Sequence, residues 1–298
     1  MSQPGASSPL LSPQLLTQLE RLELVTRKIF RGRMKGERKS KRKGQSVEFS
    51  DFRNYVPGDD LRFIDWNLYA RLDRLFLKLF LEEEDLHFFT LIDASESMDF
   101  GEPTKLQFAR QLAAALGFIG LCRADRVKIE ILGASRQQPA PVLRGRKSLW
   151  RMLEYLDSLP AVRNVPLAQG VRDFCLRNPG KGILVLVTDL MDKSGYETAL
   201  RWLVAQQLDV YLIHVLSPEE IQPELQGDLK LVDCEDQDVA ELTVSRPLLD
   251  RYARTLAAFV QGARDFCTRR GINYAMVSSQ TPVEQLVATY LRKRGLVR

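Results

Sequence analysis

Four polar side chains stand where two strongly apolar segments of the chain end, and their types suit an all-oxygen metal site. Asp93 is the first charged residue after one such segment, and Asp189 is the first after the other. Ser95 and Ser97 lie two residues apart in the loop after Asp93, so both hydroxyls can turn toward its carboxylate. Carboxylate and hydroxyl oxygens favour Mg²⁺ or Mn²⁺, and to a lesser degree Ca²⁺, over zinc. The sequence therefore predicts a divalent metal site formed by Asp93, Ser95, Ser97 and Asp189.

The same side chains have a purely structural alternative. Asp and Ser are common where a helix begins, because their oxygens accept hydrogen bonds from the free amides of the first turn. The segment Asp93-Ala94-Ser95-Glu96-Ser97, taken alone, favours this alternative. The position of Asp93 after a buried strand, with Asp189 after a second one, favours the metal site, because open α/β sheets bind ligands beyond the carboxyl ends of their strands.

The elements that position these residues alternate between strands and helices from residue 86 onward. The predicted strands are 86–92, 127–132, 141–144, 183–187, 208–215 and 272–277; the predicted helices are 104–122, 148–159, 167–176, 196–205, 246–270 and a last one that opens with a capping box at 281–284. Nearly continuous apolar strands are typical of a sheet covered on both faces. The pattern predicts an α/β fold, with a doubly wound, mostly parallel sheet and a small β-hairpin insertion near 218–245.

Three regions are predicted along the chain. Residues 1–12 are rich in Ser and Pro and are predicted to be a disordered tail. Residues 13–85 are predicted to contain an N-terminal helix that runs to about Phe30, a basic segment and a preamble to the next region. Residues 86–298 form the α/β domain with its insertion.

One short segment carries the positive charge of the chain. Arg27–Lys43 contains ten basic residues and one acid, a net charge of +9, whereas the whole chain has a formal charge of only +5. The other 33 basic and 37 acidic residues give −4. Such a segment can attract nucleic acid or an anionic surface, in a manner that added salt weakens. A solvated connection between domains is the alternative.

Cysteine spacing and hydropathy indicate the compartment. The four cysteines are scattered, which argues against a zinc site or a disulfide framework and is typical of a reducing cytosol. No stretch approaches the roughly 20 apolar residues that cross a bilayer. The first residues lack the pattern of a secretory leader. The expected location is cytoplasmic.

Two motifs resemble known families. Asp93-x-Ser95-x-Ser97 resembles the metal-ion-dependent adhesion site of von Willebrand factor A domains. The stretch from Val47 to Trp66 closely resembles the signature of the domain of unknown function 58 family, which joins such a preamble to an A-like domain. That signature includes Glu48-Phe49-Ser50-Asp51-Phe52-Arg53-Asn54-Tyr55, Pro57-Gly58-Asp59-Asp60 and Ile64-Asp65-Trp66. The likeness extends over about residues 25–295.

The resemblance implies a bacterial, non-enzymatic protein-interaction module that depends on a divalent metal. In that kind of site Ser95 and Ser97 would ligate the cation directly, and Asp93 and Asp189 would hold it partly through water. An acidic side chain of a protein partner then completes the coordination shell. The resemblance also implies a partner of the MoxR type of AAA+ ATPase, with this chain as an adaptor or co-chaperone for a client protein.

One ligand of the resembled site has no counterpart. The family pattern supplies a threonine from a loop between the two strands, but the corresponding stretch here is Asn164-Val165-Pro166-Leu167. Asn164 is the candidate substitute, and we expect weakened metal binding. Two further acids near the site, Asp99 and Asp192, are interpreted as exposed loop residues rather than ligands.

A Mg²⁺-dependent phosphohydrolase is the enzymatic alternative, with Asp93 as nucleophile and with Asp189 and Asp192 on the metal. Such enzymes use a second carboxylate two residues after the nucleophile to bind metal and transfer protons. Ser95 stands at that position. The expectation is therefore that the protein is not an enzyme.

The remaining polar residues are interpreted as structural. The charged residues of the preamble include no nucleophile–base pair, so they are predicted to form a buried network of ion pairs and turns that fastens the preamble to the α/β domain, with Trp66 as its apolar anchor. They are Arg53, Asp59, Asp60, Asp65 and Arg71. His87 and His214 fall inside predicted strands and are interpreted as core or strand-edge residues. No Ser-His-Asp triad can be assembled without them.

Overall fold

The computed structural model describes residues 10–25, 48–81, 87–132, 140–158, 165–232 and 239–298. These residues form two compact units, a larger one containing 10–25 and the described residues after 86, and a smaller one containing 48–81. Three predictions fall outside the described ranges, namely those on residues 1–9, on the basic segment Arg27–Lys43 and on Asn164.

The secondary structure follows the predicted alternation. The helices are α1 (Pro13–Leu19), α2 (Trp66–Leu72), α3 (Lys105–Cys122), α4 (Leu149–Asp157), α5 (Leu167–Arg177), α6 (Glu197–Ala205), α7 (Pro218–Ile221), α8 (Arg246–Thr268) and α9 (Val283–Gln285), the last continuing as a π-helical stretch, Leu286–Leu291. The strands are β1 (Glu48–Asn54), β2 (Phe76–Leu81), β3 (His87–Ile92), β4 (Arg126–Ile131), β5 (Val142–Leu143), β6 (Gly182–Thr188), β7 (Leu208–Leu216), β8 (Gly227–Val232), β9 (Val239–Val244) and β10 (Asn273–Ser278). Short 3₁₀ helices cover Leu61–Phe63, Glu96–Asp99 and Arg146–Ser148.

Six of the described strands form one sheet in the order β10-β7-β6-β3-β4-β5. Every neighbouring pair is parallel except β4 with the edge strand β5. The chain leaves β3 toward β4 on one side and returns later to β6 on the other side. The carboxyl ends of β3 and β6 therefore flank the topological switch point, where open α/β sheets form a ligand crevice. The prediction of a doubly wound, mostly parallel sheet is confirmed.

Helices cover both faces of this sheet. One core cluster includes side chains of α1, α3, α4 and the C-terminal helix, and the other includes α5, α6 and α8. All of β6 and β7 is buried, as their nearly continuous apolar sequences predicted. Each fully buried Leu, Ile or Val side chain contributes about 1.5–3 kcal/mol relative to leaving it exposed.

The N-terminal helix begins as predicted but ends early. The Ser12 hydroxyl accepts a hydrogen bond from the Leu15 amide at 3.1 Å, and α1 then ends at Leu19 rather than near Phe30. The chain leaves the helix because Leu24 forms an antiparallel bridge with Val297. Tertiary pairing thus overrides the helical periodicity of the local sequence.

The first described residues and α1 belong to the core of the larger unit. Leu11 is buried in the same cluster as α3, and Leu10 packs against it. The prediction of a disordered tail is therefore wrong for these two residues. Helix α1, which the sequence grouped with the preamble, also packs in this cluster through Leu15 and Leu19.

The C-terminal part contains one further difference. The hairpin predicted near 218–245 is present as the antiparallel pair of β8 and β9. The predicted capping box at Thr281–Glu284 is wrong, because Pro282 is the N-cap residue of α9 and no side chain caps that helix. Within the described ranges, no helix is both long and apolar enough to cross a membrane.

The smaller unit is an antiparallel pair, β1 and β2, together with α2. Among the side chains of this unit that the structure describes, Ile64 and Leu77 are buried and apolar, and they also form an antiparallel bridge. Trp66 is 60% exposed and contacts Tyr69 edge-on, so the prediction that Trp66 is a buried anchor is wrong. Trp66 is the first residue of α2, and there its ring faces solvent.

The charged residues of this unit lie mostly in surface turns rather than in a buried network, although Asp65, which caps α2, is itself buried. Arg53 binds both oxygens of Asp59 at 2.7 Å, and its side chain is 42% exposed. Asp65 caps α2 through the Leu68 amide at 3.1 Å and pairs with Lys78 at 3.0 Å. Solvent screens the Arg53–Asp59 pair, so that pair contributes little to stability, whereas the hydrogen bonds to Asp65 fix the start of α2.

Candidate metal centre

Asp93 and Asp189 lie together beyond the carboxyl ends of two adjacent strands. The Asp93 amide donates to the carbonyl of Val187 at 2.9 Å, which continues the pairing of β3 with β6 one residue into the loop. Asp189 directly follows Thr188, the last residue of β6. The strand order thus places both carboxylates at the switch point, the position that the sequence predicts for ligand binding.

Both oxygens of the Asp93 carboxylate accept hydrogen bonds. The Thr188 hydroxyl donates to Oδ2 at 2.7 Å, and the Ser95 amide donates to Oδ1 at 3.1 Å. Burial raises the pKa of Asp93 above its usual value, and the negative charge of Asp189 raises it further, against these two hydrogen bonds. Among the described residues no cation pairs with Asp93, so its charge is poorly compensated. Sequence reasoning missed Thr188, whose apolar neighbours gave no signal of a hydroxyl facing the site.

The half-buried Ser95 and Ser97 hydroxyls are hydrogen-bonded to each other, with their oxygens 3.0 Å apart. Ser95 precedes the 3₁₀ helix Glu96–Asp99, but its side chain does not cap that helix. The helix-capping alternative therefore does not account for Ser95. Two cis ligands of an octahedral Mg²⁺ at about 2.1 Å are also about 3.0 Å apart. The two hydroxyl oxygens therefore have the spacing of two cis ligands of such an ion.

Asp189 has a protein cation as its partner. Its Oδ2 accepts from Nζ of Lys105 at 2.8 Å, and its Oδ1 accepts from the Met191 amide at 3.0 Å. The same ammonium group binds Oε1 of Glu220. Burial alone would lower the pKa of Lys105, but the charges of Asp189 and Glu220 outweigh burial and the pKa is raised. Lys105 is therefore charged in the folded protein.

Sequence reasoning missed both Lys105 and Glu220. The sequence pattern identifies Lys105 only as a residue of the predicted helix 104–122, in whose first turn the Thr104 hydroxyl accepts from the Gln107 amide at 3.1 Å. The sequence contains only a partial signal, because α3 is apolar after Gln111 but Gln107, Arg110 and Gln111 give its first turns a polar side.

The loop that lacks the expected threonine is hydrogen-bonded to an aspartate, Asp192. Pro166 is the N-cap residue of α5 and supplies no hydroxyl, so the Leu167 amide donates instead to Asp192 at 2.5 Å. The Ser194 amide and hydroxyl donate to the other oxygen of Asp192, at 2.7 and 2.5 Å. Asp192 is half-buried and caps α5, which corrects its interpretation as an exposed acid, whereas Asp99 is exposed as expected.

His214 lies in the core beside this site. It is opposite Thr188 in the β6–β7 register and is fully buried, and its Nδ1 is 2.7 Å from the Tyr274 hydroxyl. Burial lowers the pKa of His214 to about 4, although the nearby charge of Asp189 opposes this shift. The ring is therefore neutral at physiological pH. His87, at the start of β3, is half-buried and stacks on Phe89.

The donor set suits a hard divalent cation on the Asp93 side of the site. There, two hydroxyl oxygens at ligand spacing lie in the loop of a carboxylate without a cationic partner. On the Asp189 side, the ammonium group of Lys105 already compensates the carboxylate. Ser95, Ser97 and Asp93 thus fit Mg²⁺ or Mn²⁺, whereas Asp189 fits only as a more distant charge.

Large apolar side chains are exposed on the two loops that carry the site. Phe100, three residues after Ser97, is 51% exposed, and Met191, two residues after Asp189, is 37% exposed. Aromatic residues and Met are enriched in protein interfaces. The candidate site therefore lies on loops that also offer apolar surface to a partner.

Comparisons with known proteins match most of the chain. The family described as "Protein of unknown function DUF58" matches residues 51–261. Uncharacterized proteins of Mycobacterium bovis (Mb1516) and Mycobacterium tuberculosis (Rv1480) are 29% identical over 251 residues, which cover 83% of this chain and 79% of theirs. Among solved structures, BatB from Bacteroides thetaiotaomicron has 14% identity and a TM-score of 0.40, covering 70% of this chain and 98% of that one. An aerotolerance-related membrane protein from Bacteroides fragilis has 15% identity and a TM-score of 0.42, covering 70% and 99%. The family match includes residues of both units.

Proposed function

This chain belongs to the DUF58 family, as its preamble from Val47 to Trp66 predicted, and on that premise we propose that it is a non-enzymatic protein-interaction module with a von Willebrand A-like site. The observation that carries the proposal is the pair of hydroxyls of Ser95 and Ser97, 3.0 Å apart beside the uncompensated carboxylate of Asp93. This group lies at the switch point of the sheet, where this class of fold binds its ligands.

The proposed site binds a partner through a divalent cation. Mg²⁺ or Mn²⁺ is held by the Ser95 and Ser97 hydroxyls and by Asp93, with Asp189 contributing its charge at longer range. Because two of these ligands are neutral, the ion keeps part of its positive charge and attracts an acidic side chain from the partner. The exposed ring of Phe100 and the exposed thioether of Met191 supply apolar contact around the bond between the metal ion and the partner's acidic side chain.

The proposed partner is a MoxR-type AAA+ ATPase, with this chain acting in the cytoplasm as an adaptor or co-chaperone. Support for this part comes from the resemblance of the preamble and the A-like loop, which are combined in proteins that accompany such ATPases. Binding of nucleic acid or an anionic surface by Arg27–Lys43 stays a separate prediction, since that segment lies outside the described residues.

The geometry around Asp93 supports binding rather than phosphate transfer. Both oxygens of Asp93 accept hydrogen bonds from the protein, and Ser95 occupies the position of the second carboxylate that a phosphohydrolase would use. A general acid–base at that position needs a titratable group. We therefore propose that Asp93 has no nucleophilic role, and hydrolysis of a generic phosphate ester that Asp93→Asn abolishes would refute this.

A thermal shift experiment tests the metal dependence. Mg²⁺ or Mn²⁺ should raise the melting temperature of the wild type but not that of Ser95→Ala/Ser97→Ala. The matched control is Ser148→Ala/Thr268→Ala, which also removes two hydroxyls, each bound only to a nearby backbone carbonyl. The control should respond to metal like the wild type. An equal response of both double variants would contradict the site.

A binding experiment tests the partner. The purified chain, immobilised through its C-terminus, is exposed to the MoxR-type ATPase from the same cell, with Mg²⁺ or with a chelator. Binding should require Mg²⁺ and should fall at least about tenfold in Ser95→Ala/Ser97→Ala, because the metal bond is lost. Chelator-insensitive binding would show that the ATPase docks elsewhere, and no binding by the wild type would refute the proposed partner.

A further inference from the structure

The larger unit contains a fully buried ammonium group. The side chain of Lys105 is 0% exposed and that of its partner Asp189 is 1% exposed, with Nζ 2.8 Å from Oδ2. Lysine is almost never fully buried unless it is paired. A second carboxylate, Glu220, binds the same ammonium and is 18% exposed. The three groups form a buried cluster with one positive and two negative charges.

Every oxygen of the two carboxylates has a donor from the protein. Asp189 uses Oδ2 for Lys105 and Oδ1 for the Met191 amide. Glu220 uses Oε1 for Lys105 and Oε2 for the Ser217 amide, at 2.7 Å, within the capping box that starts α7. Buried carboxylates need such compensation because their desolvation is costly. A divalent ion bound directly to Asp189 would have to approach the ammonium group of Lys105, whereas no such cation faces Asp93 among the described residues.

The cluster also connects three segments at the carboxyl edge of the sheet. Lys105 is the first residue of α3, Asp189 follows β6, and Glu220 lies in α7 directly after β7. The Glu220 carbonyl further accepts from the Tyr252 hydroxyl of α8 at 2.6 Å. The ammonium group of Lys105 thus links the loop of Asp189 to α3 and α7. A metal cation shared by the same segments could make the same link.

We propose that the ammonium group of Lys105 is the resident cation of Asp189 and replaces the divalent ion at that carboxylate. A divalent ion then binds only through Asp93, Ser95 and Ser97, and Lys105 weakens its binding by charge repulsion. The inference rests on the proposed function only for the position of that ion. The site thus differs from an adhesion site in which the carboxylates corresponding to Asp93 and Asp189 both bind one metal ion.

Calorimetric titration with Mn²⁺ alone tests the inference on the full chain. Lys105→Met should bind Mn²⁺ at least about tenfold more tightly than the wild type, because a positive charge near the ion is removed and Asp189 is released. The control is Lys128→Met, which removes another lysine in contact with a carboxylate, Glu130, and should leave Mn²⁺ binding unchanged. Equal or weaker binding by Lys105→Met, including no binding by either protein, would overturn the inference.

A second measurement uses the wild type, so that a variant that fails to fold does not decide the outcome. In protein labelled with ¹⁵N-lysine, Lys105 should give an ammonium signal protected from solvent exchange, assigned by its absence from Lys105→Arg. Saturating Mg²⁺ should leave this signal in place. Absence of a protected signal, or its loss on adding Mg²⁺, would show that the ammonium is not the resident cation.

The two experiments also separate the inference from the proposed function. Wild-type protein that binds no Mn²⁺, together with Lys105→Met that does, would refute metal dependence in the native protein and support the resident cation. Tight Mn²⁺ binding by the wild type that Lys105→Met does not improve would support the metal site and overturn the role of Lys105.

Discussion

The buried ion pair of Lys105 and Asp189 allows a quantitative test by a double-mutant cycle. Lys105→Met leaves Asp189, which is 1% exposed, without its cation. Breaking a buried pair in this way costs about 3–5 kcal/mol, because the remaining charge stays buried and uncompensated. Asp189→Asn should cost less, about 1–3 kcal/mol, because Lys105 keeps Glu220 as its partner.

The double variant Lys105→Met/Asp189→Asn removes both charges of the pair. Its cost should fall short of the sum of the two single costs by at least about 1.5 kcal/mol, because neither charge is then left buried alone. The assay is urea unfolding at pH 7 followed by circular dichroism, with a chelator present and with the slope of each transition compared. An unchanged slope indicates that the variants alter stability and not the extent of unfolding.

A more exposed pair in the same unit provides the control. Arg146 pairs with Glu20, and their side chains are 59% and 40% exposed. A cycle with Arg146→Met and Glu20→Gln should show a coupling of at most about 1 kcal/mol, because solvent screens both charges. Additivity within about 0.5 kcal/mol for Lys105 and Asp189 would refute the assignment of their contact as a strong buried pair.

Three further predictions concern stability. The pKa of Asp93 is raised from 3.8, so ionised Asp93 destabilises the fold. Asp93→Asn should therefore raise the melting temperature at pH 7 in the presence of a chelator. A gain in melting temperature that persists at acidic pH, where Asp93 itself is protonated, would contradict this cause. The pKa of His214 is lowered from 6.5 to about 4, so unfolded His214 takes up a proton in this window and stability should fall by up to about 3 kcal/mol as the pH falls from 6.5 toward 4. Urea unfolding should show that His214→Gln loses this pH dependence and that His87→Gln keeps it. A Cβ on Gly182 would lie 2.1 Å from the carbonyl oxygen of His87, so Gly182→Ala should cost about 1–3 kcal/mol in urea unfolding. Gly180→Ala, whose Cβ has no atom within 4 Å, should stay within about 0.5 kcal/mol, and equal costs would disprove the clash.

The sheet and the position of the two acids could be predicted because the signal is local. β3 and β6 are nearly continuous apolar segments, which are stable only when both faces are covered. Such strands are parallel and joined by helices, so their carboxyl ends share one edge of the sheet. Asp93 and Asp189, each the first charge after its strand, had to lie at that edge.

Two of the predictions that were wrong show what a local pattern leaves undecided. The periodicity before Phe30 favoured a longer helix, but Leu24 instead bridges Val297, far away in sequence. Trp66 was predicted to be the apolar anchor of a buried network, whereas it starts α2 with its ring exposed. In both cases the local pattern permits more than one structure, and for the N-terminal helix the bridge between Leu24 and Val297 selects one.

By itself, the sequence determined that this protein forms a doubly wound sheet and that hydroxyls and carboxylates of metal-binding type meet at its carboxyl edge. Tertiary structure alone decided how those carboxylates are compensated. Lys105 binds Asp189 and Glu220 across 84 and 115 residues of chain, because the strand order brings the start of α3 to the ends of β6 and β7. Hydrophobic periodicity is encoded by neighbouring residues, whereas the partner of a buried charge depends on which strands become neighbours.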